Sequence, residues 1–235
     1  MQTENDIKED AMSNIIVAKG ITREFHVGGG IVRALYNVDV EIEKGSLTIL
    51  RGRSGSGKTT LINILGALDK PTSGEVFLDG KDITKLLELE RDKIRREKIG
   101  FVFQSVALIS TMSAFENIDF ILRIAGYPPK EREARVIECL KMVGLEGRMN
   151  HKPFELSGGE QQRVAIARAF SHNPDIIFAD EPTAELDSAT AAQIVELFKE
   201  LSVKNGTTVV MTTHDPSILE VADKVYTLED GEVVE

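Results

Sequence analysis

The chain has 235 residues, 42% of them hydrophobic and 28% charged, which is an ordinary folded composition and enough for one large domain or two small ones. No apolar run approaches the ~20 residues of a membrane-spanning helix. A formal net charge of −10 argues against nucleic acid as the main partner, because sequence-independent binding needs basic surface.

Residues 1–13 are polar and acidic with no hydrophobic core, so they read as a disordered tail and not as a signal peptide; Met12 is a second candidate start. Ile15-Ile16-Val17-Ala18 and Ile21-Thr22-Arg23-Glu24-Phe25 read as short strands, and Gly28-Gly29-Gly30 as a hairpin turn. Val38-Asp39-Val40-Glu41-Ile42-Glu43 alternates with period two, as a half-exposed strand does. The opening is therefore an antiparallel β layer, and a parallel sheet begins near Ser46. Leu47-Thr48-Ile49-Leu50 reads as a buried strand, and Leu61-Ile62-Asn63-Ile64-Leu65 as the first turns of a helix.

Between them stands Gly52-Arg53-Ser54-Gly55-Ser56-Gly57-Lys58-Thr59-Thr60, which fits G-x-x-x-x-G-K-[ST] in the strand–turn–helix context that pattern needs. The glycines let backbone N–H groups approach an anion, and the helix start adds partial positive charge. Lys58 can then reach the β- and γ-phosphates of a nucleotide, and the Thr59 hydroxyl can ligate Mg²⁺.

Further along, Glu75-Val76-Phe77-Leu78 is a strand, residues 83–97 read as helical and heavily charged, and Ile99-Gly100-Phe101-Val102-Phe103 is a buried strand. Arg91, Lys93, Arg95, Arg96 and Lys98 read as a solvated helix face, with a surface near anionic lipid or a partner as the other reading. Helical patterns follow, broken by Tyr127-Pro128-Pro129 and Gly144-Leu145-Glu146-Gly147, and predict a helical subdomain inserted at about residues 105–165. Within it the single cysteine, Cys139, cannot form an internal disulfide and reads as a small core residue. Residues 157–172 are one helix, Asp175-Ile176-Ile177-Phe178-Ala179 is a strand capped by Asp180 and Glu181, and residues 189–203 are a further helix. Residues 207–213 form a strand ending at His214, and two short strands flank Glu229-Asp230-Gly231. No linker divides the chain, so residues 14–235 read as one α/β domain.

Four buried runs thus end in polar groups: the phosphate loop of residues 52–60 (the P-loop), Gln104, Asp180 with Glu181, and His214. Open parallel sheets bind ligands beyond the carboxyl ends of their strands, so parallel neighbours would set all four on one edge. There Asp180 can hold Mg²⁺, Glu181 can polarise an attacking water, Gln104 can contact the metal or that water, and His214 can reach the γ-phosphate. Ser157-Gly158-Gly159, at a helix start, is a second anion site by the same logic as the P-loop, or an ordinary serine cap.

Taken together, these motifs resemble the ATP-binding-cassette ATPases over nearly the whole chain. The most specific string is Leu156-Ser157-Gly158-Gly159-Glu160-Gln161, after a P-loop and before Asp180-Glu181-Pro182. The resemblance implies a P-loop NTPase (RecA-like) mixed-sheet core with an N-terminal antiparallel β subdomain and an inserted helical one. It implies an ATP hydrolase using ATP and Mg²⁺, with Thr59, Gln104 and Asp180 at the metal and Lys58, Gln104, Glu181 and His214 catalytic. Phe25 would stack on adenine, with Tyr36 a rival.

Residues 184–187 would be the loop that meets a second copy; Glu185 stands there where a small residue or Asn is usual. Arg51 and Arg53 flank Gly52, adding charge near the phosphates or forming surface pairs. The implied assembly is two cassettes head to tail, with Ser157, Gly158, Gly159, Glu160 and Gln161 of one covering the nucleotide of the other. The helical subdomain would dock onto an integral membrane permease, with no nucleic acid involved. The chain would then be cytoplasmic and peripheral on the inner face of the membrane. Arg95-Arg96-Glu97-Lys98-Ile99-Gly100-Phe101-Val102-Phe103-Gln104 is similar to the subgroup serving macrolide export and lipoprotein release. A non-transport cassette with a regulatory or assembly role, as in cell division, is the second reading.

Overall fold

The computed structural model describes residues 14–184 and 186–234. The tail of residues 1–13, with Met12, and Glu185 lie outside the described residues. The two long opening strands, β1 (Asn14–Val27) and β2 (Gly30–Glu43), form a hairpin whose turn is Gly28 and Gly29, both at positive φ. The two short strands expected in residues 15–25 are one strand, kept continuous by register shifts around Ala18, Ile21 and Arg23 that absorb the Gly20 kink. β1 also pairs with β4 (Ser73–Leu78), and β4 with β5 (Lys81–Asp82), giving an antiparallel sheet in the order β2-β1-β4-β5.

The second sheet has the order β10-β9-β3-β8-β7-β6. It comprises β3 (Leu47–Arg51), β6 (Ile99–Val102), β7 (Ile176–Ala179), β8 (Thr208–Thr213), β9 (Lys224–Glu229) and β10 (Glu232–Val233). β9, β3, β8, β7 and β6 pair in parallel, and β10 closes the edge antiparallel to β9. β3, β6, β7 and β8 are buried along most of their length because both faces are covered, whereas β9 and β10 at the edge are partly exposed. Leu47, Ile49, Val209, Met211, Ile177 and Ala179 point into one core, formed with α3 (Ala114–Ile124), α4 (Pro129–Met142), α5 (Gly158–Phe170) and α6 (Ser188–Asn205). Their neighbours Leu50, Val210, Ile176 and Phe178 point into a second core with α1 (Lys58–Leu65) and the antiparallel sheet. Cys139 is buried in the first core, where burial pushes its thiol up to about 12.

Two local expectations shift. The helix expected from residue 83 begins only at α2 (Glu88–Lys98), because Thr84 and Asp82 hold a turn: the Thr84 hydroxyl accepts from the Val76 N–H, and Asp82 accepts from the Thr84 N–H. The basic cluster on α2 is not a uniformly solvated face. Arg91 is 4% exposed and donates to the Ala67 and Asp69 carbonyls at 2.7 Å, and Arg95 donates to Ala67 at 2.6 Å. These guanidiniums satisfy the carbonyls just past the end of α1, which have no partner in the helix itself. Of the five basic residues, Lys93 and Arg96 are exposed.

Candidate active site

The run β3-β8-β7-β6 is the arrangement the four strand ends require. Adjacent parallel strands bring the P-loop, His214, Asp180 with Glu181, and Gln104 to one edge in that order. The P-loop bends back over α1, and two glycines are obligatory. A Cβ on Gly57, at φ 103°, would lie 2.6 Å from the Ala34 carbonyl, and one on Gly52 would lie 2.3 Å from that of Leu228. α1 has no side-chain cap, which leaves its first-turn N–H groups to a ligand. The Ser56 hydroxyl is buried in the loop with no hydrogen-bond partner among the described residues.

Lys58 is 5% exposed; its Nζ donates to the Gly52 and Arg53 carbonyls at 2.7 and 3.0 Å and lies 3.6 Å from Glu181 Oε1. Its ammonium is therefore pre-aimed by the loop it serves. The Thr59 hydroxyl donates to Asp180 Oδ2 at 2.8 Å, and Thr212 donates to Asp180 Oδ1 at 2.7 Å. The Thr212 oxygen in turn accepts from the Glu181 N–H at 2.8 Å. Glu181 has φ 44°, a left-handed conformation costly for a side-chain-bearing residue and of the kind that gathers at working sites. His214 Nδ1 lies 3.2 Å from Glu181 Oε2, and the imidazole is 62% exposed, open to a ligand. A cleft of about 470 Å³ runs between Lys58, Thr59, Gln104, Glu181 and His214, with Arg53, Ser54 and Gly55 along its lip.

Some expected residues sit elsewhere. Ser157 caps α5: its hydroxyl accepts from the Glu160 N–H at 3.3 Å and donates to the Glu160 carboxylate at 2.9 Å. Glu160 also accepts from the Ser157 N–H, and Arg148 holds it from the other side at 3.1 Å. Those contacts keep its pKa below the ordinary carboxylate value, the Ser157 N–H first among them. The Gln161 amide donates to the Pro153 and Leu156 carbonyls. None of residues 157–161 lines the P-loop cleft of its own chain. Nor does Phe25, which lies on β1 with the Arg23 guanidinium 4.4 Å from its ring centre. Tyr36 is likewise covered by Arg33, at 4.8 Å. The Arg51 Nε donates to the Thr227 hydroxyl at 2.8 Å, while Arg53 lines the cleft. Thr212 and Ala34, which touch this site, escape sequence reading: one is an interior strand residue, the other sits in a hairpin distant in sequence.

The chemistry of this donor set is specific. A glycine loop and helix start can receive phosphates, a lysine can neutralise their charge, hydroxyl and carboxylate oxygens converge within hydrogen-bond distance, and a second carboxylate faces the cleft. That describes a P-loop nucleotide hydrolase. The ABC transporter family profile matches residues 35–184. The ABC transporter ATP-binding protein MJ0796 of Methanocaldococcus jannaschii is 48% identical over 223 residues, which cover 93% of this chain and 95% of that protein. A solved dimer of MJ0796 in a post-hydrolysis state, bound to ADP and Pi, superposes with a TM-score of 0.89 at 46% identity, covering 94% of this chain and 97% of that one.

The lipoprotein-releasing system ATP-binding protein LolD of Legionella pneumophila is 44% identical, covering 92% of this chain and 96% of its own. The macrolide export ATP-binding/permease protein MacB of Mannheimia succiniciproducens is 43% identical over 94% of this chain, which spans 34% of that longer protein. The chain belongs to the ABC transporter family, as an ATP-binding and ATP-hydrolysing cassette. Its resemblance to the lipoprotein-release and macrolide-export branch is borne out at this level of identity.

Proposed function

We propose that the chain is the ATPase subunit of a membrane transporter or mechanotransmission complex, working as a head-to-tail pair of cassettes. The observation that carries the catalytic part is the unbroken hydrogen-bonded line Thr59–Asp180–Thr212–Glu181, with His214 and Lys58 on either side of Glu181. The Thr59 hydroxyl and the Asp180 carboxylate are hard oxygen donors already within 2.8 Å of each other, with Gln104 across the cleft. Mg²⁺ keeps most of its shell as water and phosphate oxygen and needs few protein ligands, so this set fits it. Bound there, it would neutralise charge building on the β- and γ-phosphates.

The chain's own residues do the rest. The P-loop N–H groups and Lys58 seat the phosphates. Glu181, fixed through its backbone by Thr212, takes the proton of the attacking water. His214, held by Glu181, fixes that water and the γ-phosphate in line, and Gln104 closes the far side.

The second half of the site comes from another copy. Ser157, Gly158 and Gly159 offer a capped but exposed helix start, and Glu160 and Gln161 hold its shape. None of them serves the cleft of its own chain, which supports a trans role. The dimeric state of MJ0796 bound to ADP and Pi supports a pairing of two cassettes. Adenine would stack on the face of Phe25 opposite Arg23.

A groove of about 590 Å³ between α2, β6, α3 and α5 is walled by Phe101, Phe103, Phe120, Ile121 and Ile124. Phe120 and Ile124 are 37% and 44% exposed there. It supports docking of an amphipathic segment from an integral membrane permease, which would place the chain on the cytoplasmic face of the membrane. Among the described residues no helix is long and apolar enough to cross a membrane itself.

Steady-state hydrolysis tests the central assignment. Glu181→Gln should cut turnover by roughly 10²–10⁴-fold, as loss of a general base does, with ATP affinity retained. Unchanged turnover would remove Glu181 from its role.

A further inference from the structure

We propose that Arg168 is a positioning residue for ATP turnover: it holds the strained turn that follows Gln104, and so sets where Gln104 meets the P-loop cleft. The proposal rests on the role given to Gln104 above. Arg168 lies in the last turn of α5, the helix that begins at the Ser157 cap. Its guanidinium reaches off the helix to the Ala107 carbonyl at 2.7 Å and the Val106 carbonyl at 3.4 Å. Val106 and Ala107 are both left-handed, at φ 20° and 49°.

Two successive non-glycine residues in that region, one of them β-branched, are unfavourable, and they persist only where neighbouring groups over-determine them. Arg168 is a group that does so here, because the fork of one guanidinium spans two consecutive carbonyls. The segment it pins is short. Phe103, Gln104 and Ser105 alone separate the last residue of β6 from Val106, and Phe103 is itself stacked on Phe101 at 5.6 Å. Gln104 therefore sits on a three-residue bridge fixed at both ends, with little freedom to leave the cleft it lines.

The cost of keeping Arg168 there points the same way. Burial works against its charge and holds its pKa below the ordinary arginine value. Among the described residues it forms no ion pair; its bonds go to main-chain carbonyls. A half-buried cation without a carboxylate is a poor choice for general stability, where an apolar residue of like volume would serve. Arg168 and Ala107 also line the apolar groove beneath α3. An occupant of that groove would rest on the same clamp that fixes Gln104.

The test uses the full chain and steady-state ATP hydrolysis with Mg²⁺. Arg168→Ala should lower kcat about tenfold with KM for ATP within about twofold, since Lys58 and its loop are untouched. Arg168→Lys, able to reach one carbonyl but not both, should fall between. In a Gln104→Ala background, Arg168→Ala should remove no more than about a further twofold, because residues acting through one another are not additive. Amide exchange over residues 104–108 should speed up about tenfold in Arg168→Ala while residues 58–65 keep their rate. Wild-type kcat, a full additional loss in the Gln104→Ala background, or unchanged exchange at 104–108 would each overturn the proposal. If Gln104→Ala itself turns over like wild type, the role of Gln104 falls instead, and the exchange result alone decides the clamp. If Arg168→Ala does not fold, Arg168→Lys carries the same comparisons.

Discussion

Thr212 lies at 0% exposure near the end of β8, and its one oxygen serves two acids: it donates to the Asp180 carboxylate and accepts from the Glu181 backbone. The geometry of Glu181 therefore depends on a hydroxyl from the next strand. Thr212→Val keeps shape and volume but breaks both bonds. It should cost about 10–100-fold in kcat through misplacement of Glu181. Unfolding free energy should fall by about 1–3 kcal/mol for the buried polar groups left unmet. Kinetics and urea denaturation measure the two effects, and Thr212→Ser should recover most of both. Wild-type turnover in Thr212→Val would show that Glu181 is positioned by something else. Asp180, Glu181 and His214 were legible in the sequence because each follows an apolar strand, and Lys58 because it stands in the glycine-loop pattern. Thr212 was not, because an interior strand threonine carries no pattern that separates it from Thr208 or Thr213.

At the scale of elements, α1 is the piece on which the site stands, and its two ends are managed differently. Its N-terminus has no side-chain cap, which leaves the first-turn N–H groups open to an anion. Just past its C-terminus, the carbonyls of Ala67 and Asp69 are taken by Arg91 and Arg95 of α2. Arg91 is thus a structural cation in a helix whose sequence looks like solvated surface, and only the fold distinguishes it from Lys93, two residues away. Arg91→Met should destabilise the protein by about 1–3 kcal/mol, since the Asp69 carbonyl loses its donor and Ala67 keeps only Arg95. Lys93→Met should change stability by less than about 0.5 kcal/mol, as exposed substitutions do. Equal effects in urea titrations would contradict this division. Strands were legible for a related reason. β2 alternates over residues 38–43 because one face is buried there, and the central parallel strands β3, β7 and β8 are buried runs because both faces are. The start of α2 was not, because the turn at Asp82 and Thr84 is made by side-chain hydrogen bonds that a helical charge pattern conceals.

At the scale of the molecule, one sheet edge collects every group that the sequence places after a buried strand, and the strand order β3-β8-β7-β6 explains why widely separated motifs act together. The sequence carried these motifs but could not carry their distances: Thr59 and Asp180 are 121 residues apart and 2.8 Å from each other. The edge is also incomplete. Residues 157–161 fold into a well-made helix start that does not line the P-loop cleft of its own chain, and that half of the account depends on a second copy. The mass of the Glu181→Gln variant by light scattering, with and without ATP, tests it most directly. The account predicts a single chain without nucleotide, twice that mass with ATP, and a single chain again when Ser157→Arg is added. A Glu181→Gln chain that stays single at saturating ATP, or a dimer indifferent to Ser157→Arg, would contradict it.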